Sequence, residues 1–88
     1  MRARIVVRLR PGILDAQGTT LRRALDGLGF PEVRELRVGK VLDLTLDESD
    51  AARARQRLDE MCRKLLANPV IEDYTCEVLD GDAGGRMA

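Results

Sequence analysis

Eighty-eight residues, 44% of them hydrophobic and 34% charged, give room for one small globular domain with a modest core. The chain has no histidine, which excludes imidazole bases, Ser-His-Asp and Cys-His arrangements and every His-containing metal site; no tryptophan, one tyrosine and one phenylalanine exclude an aromatic platform for nucleic-acid bases. Fifteen bases balance fifteen acids, but residues 1–40 hold nine bases and four acids while residues 41–88 hold six bases and eleven acids, so either the halves interleave in space or the surface is electrically polar and suited to pairing.

Ala3 to Arg10 alternates, with Ile5, Val7 and Leu9 on one side and Arg4, Val6, Arg8 and Arg10 on the other, which predicts a strand with one buried face. Pro11-Gly12 ends it. Asp15 then caps a predicted helix whose apolar residues Leu21, Ala24, Leu25 and Leu28 recur at helical spacing, and Gly29 stops it. Residues 33–46 read as strand on both sides of Gly39-Lys40. A three-residue loop, Gly39-Lys40-Val41, pairs Val38 with Leu42 and Leu36 with Leu44 and keeps the leucines on one face; a single long strand bent at Gly39 is the other possibility.

Asp47 or Ser49 is expected to cap the second helix, whose stripe Ala51, Ala54, Leu58, Met61, Cys62, Leu65 and Leu66 runs for about four turns to the Asn68-Pro69 stop. Val70 to Leu79 forms the last predicted strand, with Tyr74, Cys76 and Val78 inward. The order β-α-β-β-α-β predicts an α+β, ferredoxin-like sandwich, two helices on one face of a four-stranded, mainly antiparallel sheet. Residues 1–79 make the domain. Residues 80–88 (DGDAGGRMA) lack a core face and are expected to be a flexible tail.

Candidate chemistry is sparse. Cys62 and Cys76 lack the spacing of a redox or zinc motif and read as reduced core residues, as in a cytoplasmic protein; the N-terminal apolar run of Ile5, Val6 and Val7 is too short for a signal peptide or a membrane span. Adjacent acids Asp59-Glu60 and Glu72-Asp73 point apart and form no dyad. The first strand-helix junction contains Pro11, which has no amide hydrogen, and matches no phosphate-loop pattern. No catalytic, cofactor-binding or metal-binding residue is expected.

Two surfaces remain. Arg37, Gly39 and Lys40 form a basic tip that reads either as a contact for an acidic partner or as a solvated turn. The sheet face away from the helices carries Val6, Val33, Val41, Ile71 and Leu79, more aliphatic surface than a monomer is expected to expose, and is a candidate for self-association.

Three segments together carry a resemblance: Leu9 to Gly18 (LRPGILDAQG), Val33 with Arg37 to Lys40 (RVGK), and Met61 to Tyr74 (MCRKLLANPVIEDY). In this order and within this length the chain resembles the PurS family, small subunits of phosphoribosylformylglycinamidine synthase. Ala16 stands where the family commonly has proline, a neutral exchange at a first helical position. The resemblance implies a subunit of an ATP-dependent glutamine amidotransferase and ligase of purine biosynthesis. Such a subunit has no chemistry of its own; it bridges, as a dimer or a dimer of dimers, a large synthetase subunit that binds ATP with Mg and a glutaminase subunit that supplies ammonia. No nucleic acid, membrane or cofactor is expected on this chain. The rival reading is a stand-alone regulatory module of the same fold that binds a small ligand.

Overall fold

The structure, a computed structural model, describes residues 1–79, so the expected tail lies outside the described residues. Alternation in β1 (Arg2–Leu9) places Ala3, Ile5 and Val7 on one face, where each is at most 1% exposed. β1 is the middle strand of a three-stranded antiparallel sheet, with β2 (Gly39–Thr45) on one side and β3 (Glu72–Leu79) on the other. The registers run from Arg2↔Thr45 to Arg8↔Gly39 and from Arg2↔Leu79 to Leu9↔Glu72. Ile5 therefore lies between Leu42 and Cys76, and Ala3 between Leu44 and Val78, which makes one side of the sheet apolar across all three strands.

A single helix covers that side. α2 (Ala51–Met61) buries Ala54 and Leu58 completely, and its winding loosens into a π-helical turn over Cys62–Leu66 that buries Cys62. Leu58, Cys62 and Ala67 join Ala3, Ile5 and Val7 in one cluster, ringed by half-buried residues that include Leu42, Leu44, Met61, Tyr74 and Val78. The cap of α2 is neither Asp47 nor Ser49. Asp50 accepts from the Ala52 amide at 3.0 Å, and the Glu48 carboxylate accepts from the amides of Ser49 and Asp50 at 3.2 and 3.3 Å. The stop is where the sequence puts it, with the Asn68 side chain accepting from the Val70 amide at 3.1 Å.

The four-stranded sheet expected from the sequence is not formed, and with it goes the β-α-β-β-α-β order. There is no hairpin at Gly39-Lys40-Val41, because Gly39 opens β2 and pairs with Arg8. Residues 33–38 alternate as a strand does, yet they join no sheet; the Val38 amide instead donates to the Asp15 carboxylate at 2.6 Å. Alternation reports which face a strand could bury, not whether its backbone finds a partner.

α1 (Ala16–Gly27) is capped by Asp15 as expected and ends at Gly29, whose φ of +98° is the left-handed conformation of a helix stop. Its packing differs from expectation. The only buried residue of the helix is Gly18, and Leu21 and Leu28 of the predicted inner stripe are 44% and 73% exposed. The radius of gyration is 16.2 Å, against about 12 Å for a compact chain of this length.

Candidate functional site

Among the candidate motifs, Asp15 is bonded through both oxygens of its carboxylate. One carboxylate oxygen accepts from the Gly18 amide at 2.8 Å and the other from the Val38 amide at 2.6 Å, on a residue only 8% exposed. The first bond caps α1; the second ties the start of that helix to the residue that leads into β2. Both hold the carboxyl below its ordinary pKa, the Val38 bond most, because they favour the charged form. Gly18 is part of the same joint. A β-carbon there would meet the Leu36 carbonyl oxygen at 2.4 Å and the Asp15 carboxylate at 2.6 Å, so only glycine lets the two segments approach this closely. Sequence reasoning saw the cap and missed the second oxygen, for which the sole cue was a carboxylate three residues before a glycine.

The expected basic tip is dispersed. Arg37 lies back against the loop after β1, where its guanidinium donates to the carbonyls of Leu9 and Arg10 at 3.4 and 3.2 Å. Gly39 is inside the sheet, and a β-carbon there would meet the Val7 carbonyl oxygen at 2.7 Å. Lys40 is exposed and sits opposite Val7, at one end of the face that carries α2. Of the three, Lys40 is the one placed to reach a partner without disturbing the fold.

On the opposite face of the sheet, Val6 is flanked by Val41 and Thr75, Arg4 by Asp43 and Glu77, and Arg8 by Asp73 and Gly39. Arg4 Nε lies 2.9 Å from Asp43, and Arg10 Nε 3.5 Å from Asp73. The basic and acidic halves of the sequence thus interleave, β1 supplying the cations and its two neighbours the anions. Leu79 ends this face opposite Arg2, and the Ile71 carbonyl accepts from the Arg10 amide at 2.8 Å just before β3. Val33 lies outside the sheet, in the segment that forms no strand.

Cys62 and Cys76 approach to 3.8 Å between sulfurs, both unbridged. Burial pushes the Cys62 thiol up to about 12 and raises that of Cys76 as well, so almost no thiolate is present at neutral pH. A thiol reagent at pH 8 is therefore expected to modify the native chain slowly and to count two thiols quickly once it is denatured. Fast reaction of both in the native chain would contradict this burial. Beside them, the Tyr74 hydroxyl donates to Asp59 at 2.5 Å, and that bond raises the phenol to about 12. Because the folded value lies above the unfolded one near 10, the bond stabilises the fold in full below about pH 10 and is lost as the pH rises through about 12. With no tryptophan to interfere, absorbance titration should show this sole tyrosine ionising late, and Asp59→Asn should bring its midpoint down towards 10.

Among the described residues, no group of three or more Cys, Asp or Glu side chains could hold a metal ion, and no helix is long and apolar enough to cross a membrane. What the chain offers are surfaces: a charged sheet face, an exposed helix and a clamped joint between them. The sequence profile of PurS, described as phosphoribosylformylglycinamidine (FGAM) synthase, matches residues 2–80. The chain is 49% identical over 75 residues to the phosphoribosylformylglycinamidine synthase subunit PurS of Synechocystis, covering 85% of this chain and 75% of that one. With the subunit of Methanocaldococcus jannaschii the identity is 39% over 77 residues, covering 88% and 93%. Among solved structures it is similar to Bacillus subtilis PurS, with a TM-score of 0.82 at 40% identity over 90% of this chain and 98% of that one. It is also similar to a chain in the structure of PurLQS from Thermotoga maritima, with a TM-score of 0.80 at 33% identity over 89% and 95%. The chain belongs to the PurS family of phosphoribosylformylglycinamidine synthase subunits.

Proposed function

We propose that this chain is the small, non-catalytic subunit of a phosphoribosylformylglycinamidine synthase. It bridges an ATP-dependent synthetase subunit and a glutaminase subunit, so that ammonia from glutamine converts formylglycinamide ribonucleotide to formylglycinamidine ribonucleotide. ATP and Mg are bound by the large partner, and this chain contributes position. The carrying observation is its likeness, over 95% of that chain's length, to a chain in the PurLQS structure. Ammonia transfer between two active sites depends on holding them in fixed relation, and a subunit that only binds can supply that. The chain also pairs with itself, as a dimer or a dimer of dimers.

The test is reconstitution. Glutamine-dependent turnover by the two larger subunits is expected to require this chain, while the chain alone hydrolyses neither ATP nor glutamine. Full glutamine-dependent turnover without it would overturn the bridging role. Within that assay Lys40→Ala is expected to weaken assembly at nearly unchanged melting temperature. Gly39→Ala, with its close Val7 carbonyl, should lower the melting temperature instead.

A further inference from the structure

Cys62 and Cys76 meet from two different elements. Cys62 opens the π-helical turn after α2 and is wholly buried, whereas Cys76 is half-buried on β3, an edge strand of the sheet. Their sulfurs are 3.8 Å apart, in contact but unbridged. Beside them the Tyr74 hydroxyl is bonded to Asp59, and Asp59 also pairs with Arg63 at 3.0 Å. Among the described residues no third ligand joins the two thiols in a metal site.

The two sulfurs are not equivalent. Cys76, at the sheet edge, is the one a small solute reaches first, because Cys62 has no exposed surface. Burial raises both thiols, but at Cys76 the contact with its neighbour works the other way, since an S–H donated by Cys62 favours the Cys76 thiolate. An accessible sulfur with a second thiol behind it is the arrangement in which an oxidised cysteine is resolved as a disulfide instead of going on to higher acids. Closing the gap from 3.8 Å to the roughly 2.0 Å of a disulfide requires one side to yield. Cys62 stands where the helix is most loosely wound, its carbonyl accepting from the Ala67 amide at 3.0 Å across the five-residue span of a π turn.

We propose that Cys62 and Cys76 form a hydroperoxide-sensitive redox site, in which Cys76 is oxidised and Cys62 resolves it. The Cys76 sulfur attacks one oxygen of hydrogen peroxide, the O–O bond breaks, and the thiol proton leaves with the other oxygen as water. The Cys62 sulfur then attacks the resulting sulfenic acid, and a second water carries off its oxygen and the Cys62 proton. In sum two thiols give up two electrons and two protons, and one peroxide becomes two waters. The disulfide ties the π turn to β3. Leu65 and Leu66 of that turn line a groove of about 410 Å³ with Leu44 and Met61, so oxidation reshapes the surface at the end of α2. A thiol reductant returns both cysteines.

The test is exposure of the full, folded chain to hydrogen peroxide, followed by a thiol count after denaturation and peptide mapping. The wild type is expected to lose both thiols to one internal Cys62–Cys76 cross-link, which dithiothreitol reverses, and its oxidised form should unfold at a higher urea concentration than the reduced one. Cys62→Ala should accumulate a Cys76 sulfenic acid that dimedone traps, and Cys76→Ala should be labelled at Cys62 at least tenfold more slowly. Circular dichroism verifies that each variant is folded, and Cys62→Val replaces Cys62→Ala if the smaller side chain unfolds the core. Two thiols still free after peroxide, a higher acid on Cys76 beside an untouched Cys62, or a cross-link between chains in place of the internal one overturns the proposal. Equal labelling of the two single variants overturns the assignment of roles. An oxidised chain that unfolds at lower urea overturns the tie between the π turn and β3.

Discussion

Gly18→Ala is expected to destabilise the chain, although it replaces glycine by the best helix former inside a helix. The propensity gain is about 1 kcal/mol. Against it stands a methyl group placed 2.4 Å from a backbone carbonyl oxygen and 2.6 Å from the capping carboxylate. Neither is the free end of a flexible side chain. Forcing them apart costs about 1–3 kcal/mol of overpacking, and it also opens the joint between α1 and β2. Gly27, nine residues further along the same helix, has nothing within 4 Å of its would-be β-carbon, so Gly27→Ala should stabilise by up to about 1 kcal/mol. Urea unfolding of the two variants should therefore shift the midpoint in opposite directions. A shared upward shift would mean that the Asp15 joint does not constrain the fold.

Leu58→Ala is expected to have a larger effect still. Leu58 is wholly buried beneath α2, in the one cluster that joins helix and sheet, and deleting such a side chain costs about 2–5 kcal/mol in lost transfer energy and residual cavity. A chain this small has little stability to spare, so the variant should be substantially unfolded at 37 °C. Val70→Ala, at a position 79% exposed, should change stability by less than about 0.5 kcal/mol. Similar losses in the two variants would place the core elsewhere.

Where sequence periodicity and structure agree, a side chain's neighbours are local or forced by alternation. β1, the Asp15 and Gly29 ends of α1, the Ala54-Leu58-Cys62 stripe of α2 and the inward row of β3 are of this kind. Disagreement appears where a backbone group had two possible partners. Val38 could have entered a ladder; it met a carboxylate from 23 residues earlier in the chain instead. The stripe of α1 was legible as a stripe, but periodicity carries no address, and nothing in Leu21 or Leu28 says which surface they cover. The dispersal of the basic tip follows from the same error, because Arg37 and Lys40 belong together only if the chain turns between them.

The middle position of β1 governs the order in which this chain can fold. The first strand made is the one that needs both others: its neighbour on one side is complete only at Thr45, and on the other only at Leu79. At roughly 5–20 residues per second of synthesis, the alternating segment with Ile5 and Val7 waits several seconds for its second partner. Over that interval its edges are open to any other strand. The arginines at positions 2, 4, 8 and 10 give the waiting strand a net positive charge, which disfavours its pairing with another copy of itself until β2 brings Asp43 to Arg4 and β3 brings Asp73 to Arg10. The same charges that zip the finished sheet thus act earlier as a guard against premature pairing.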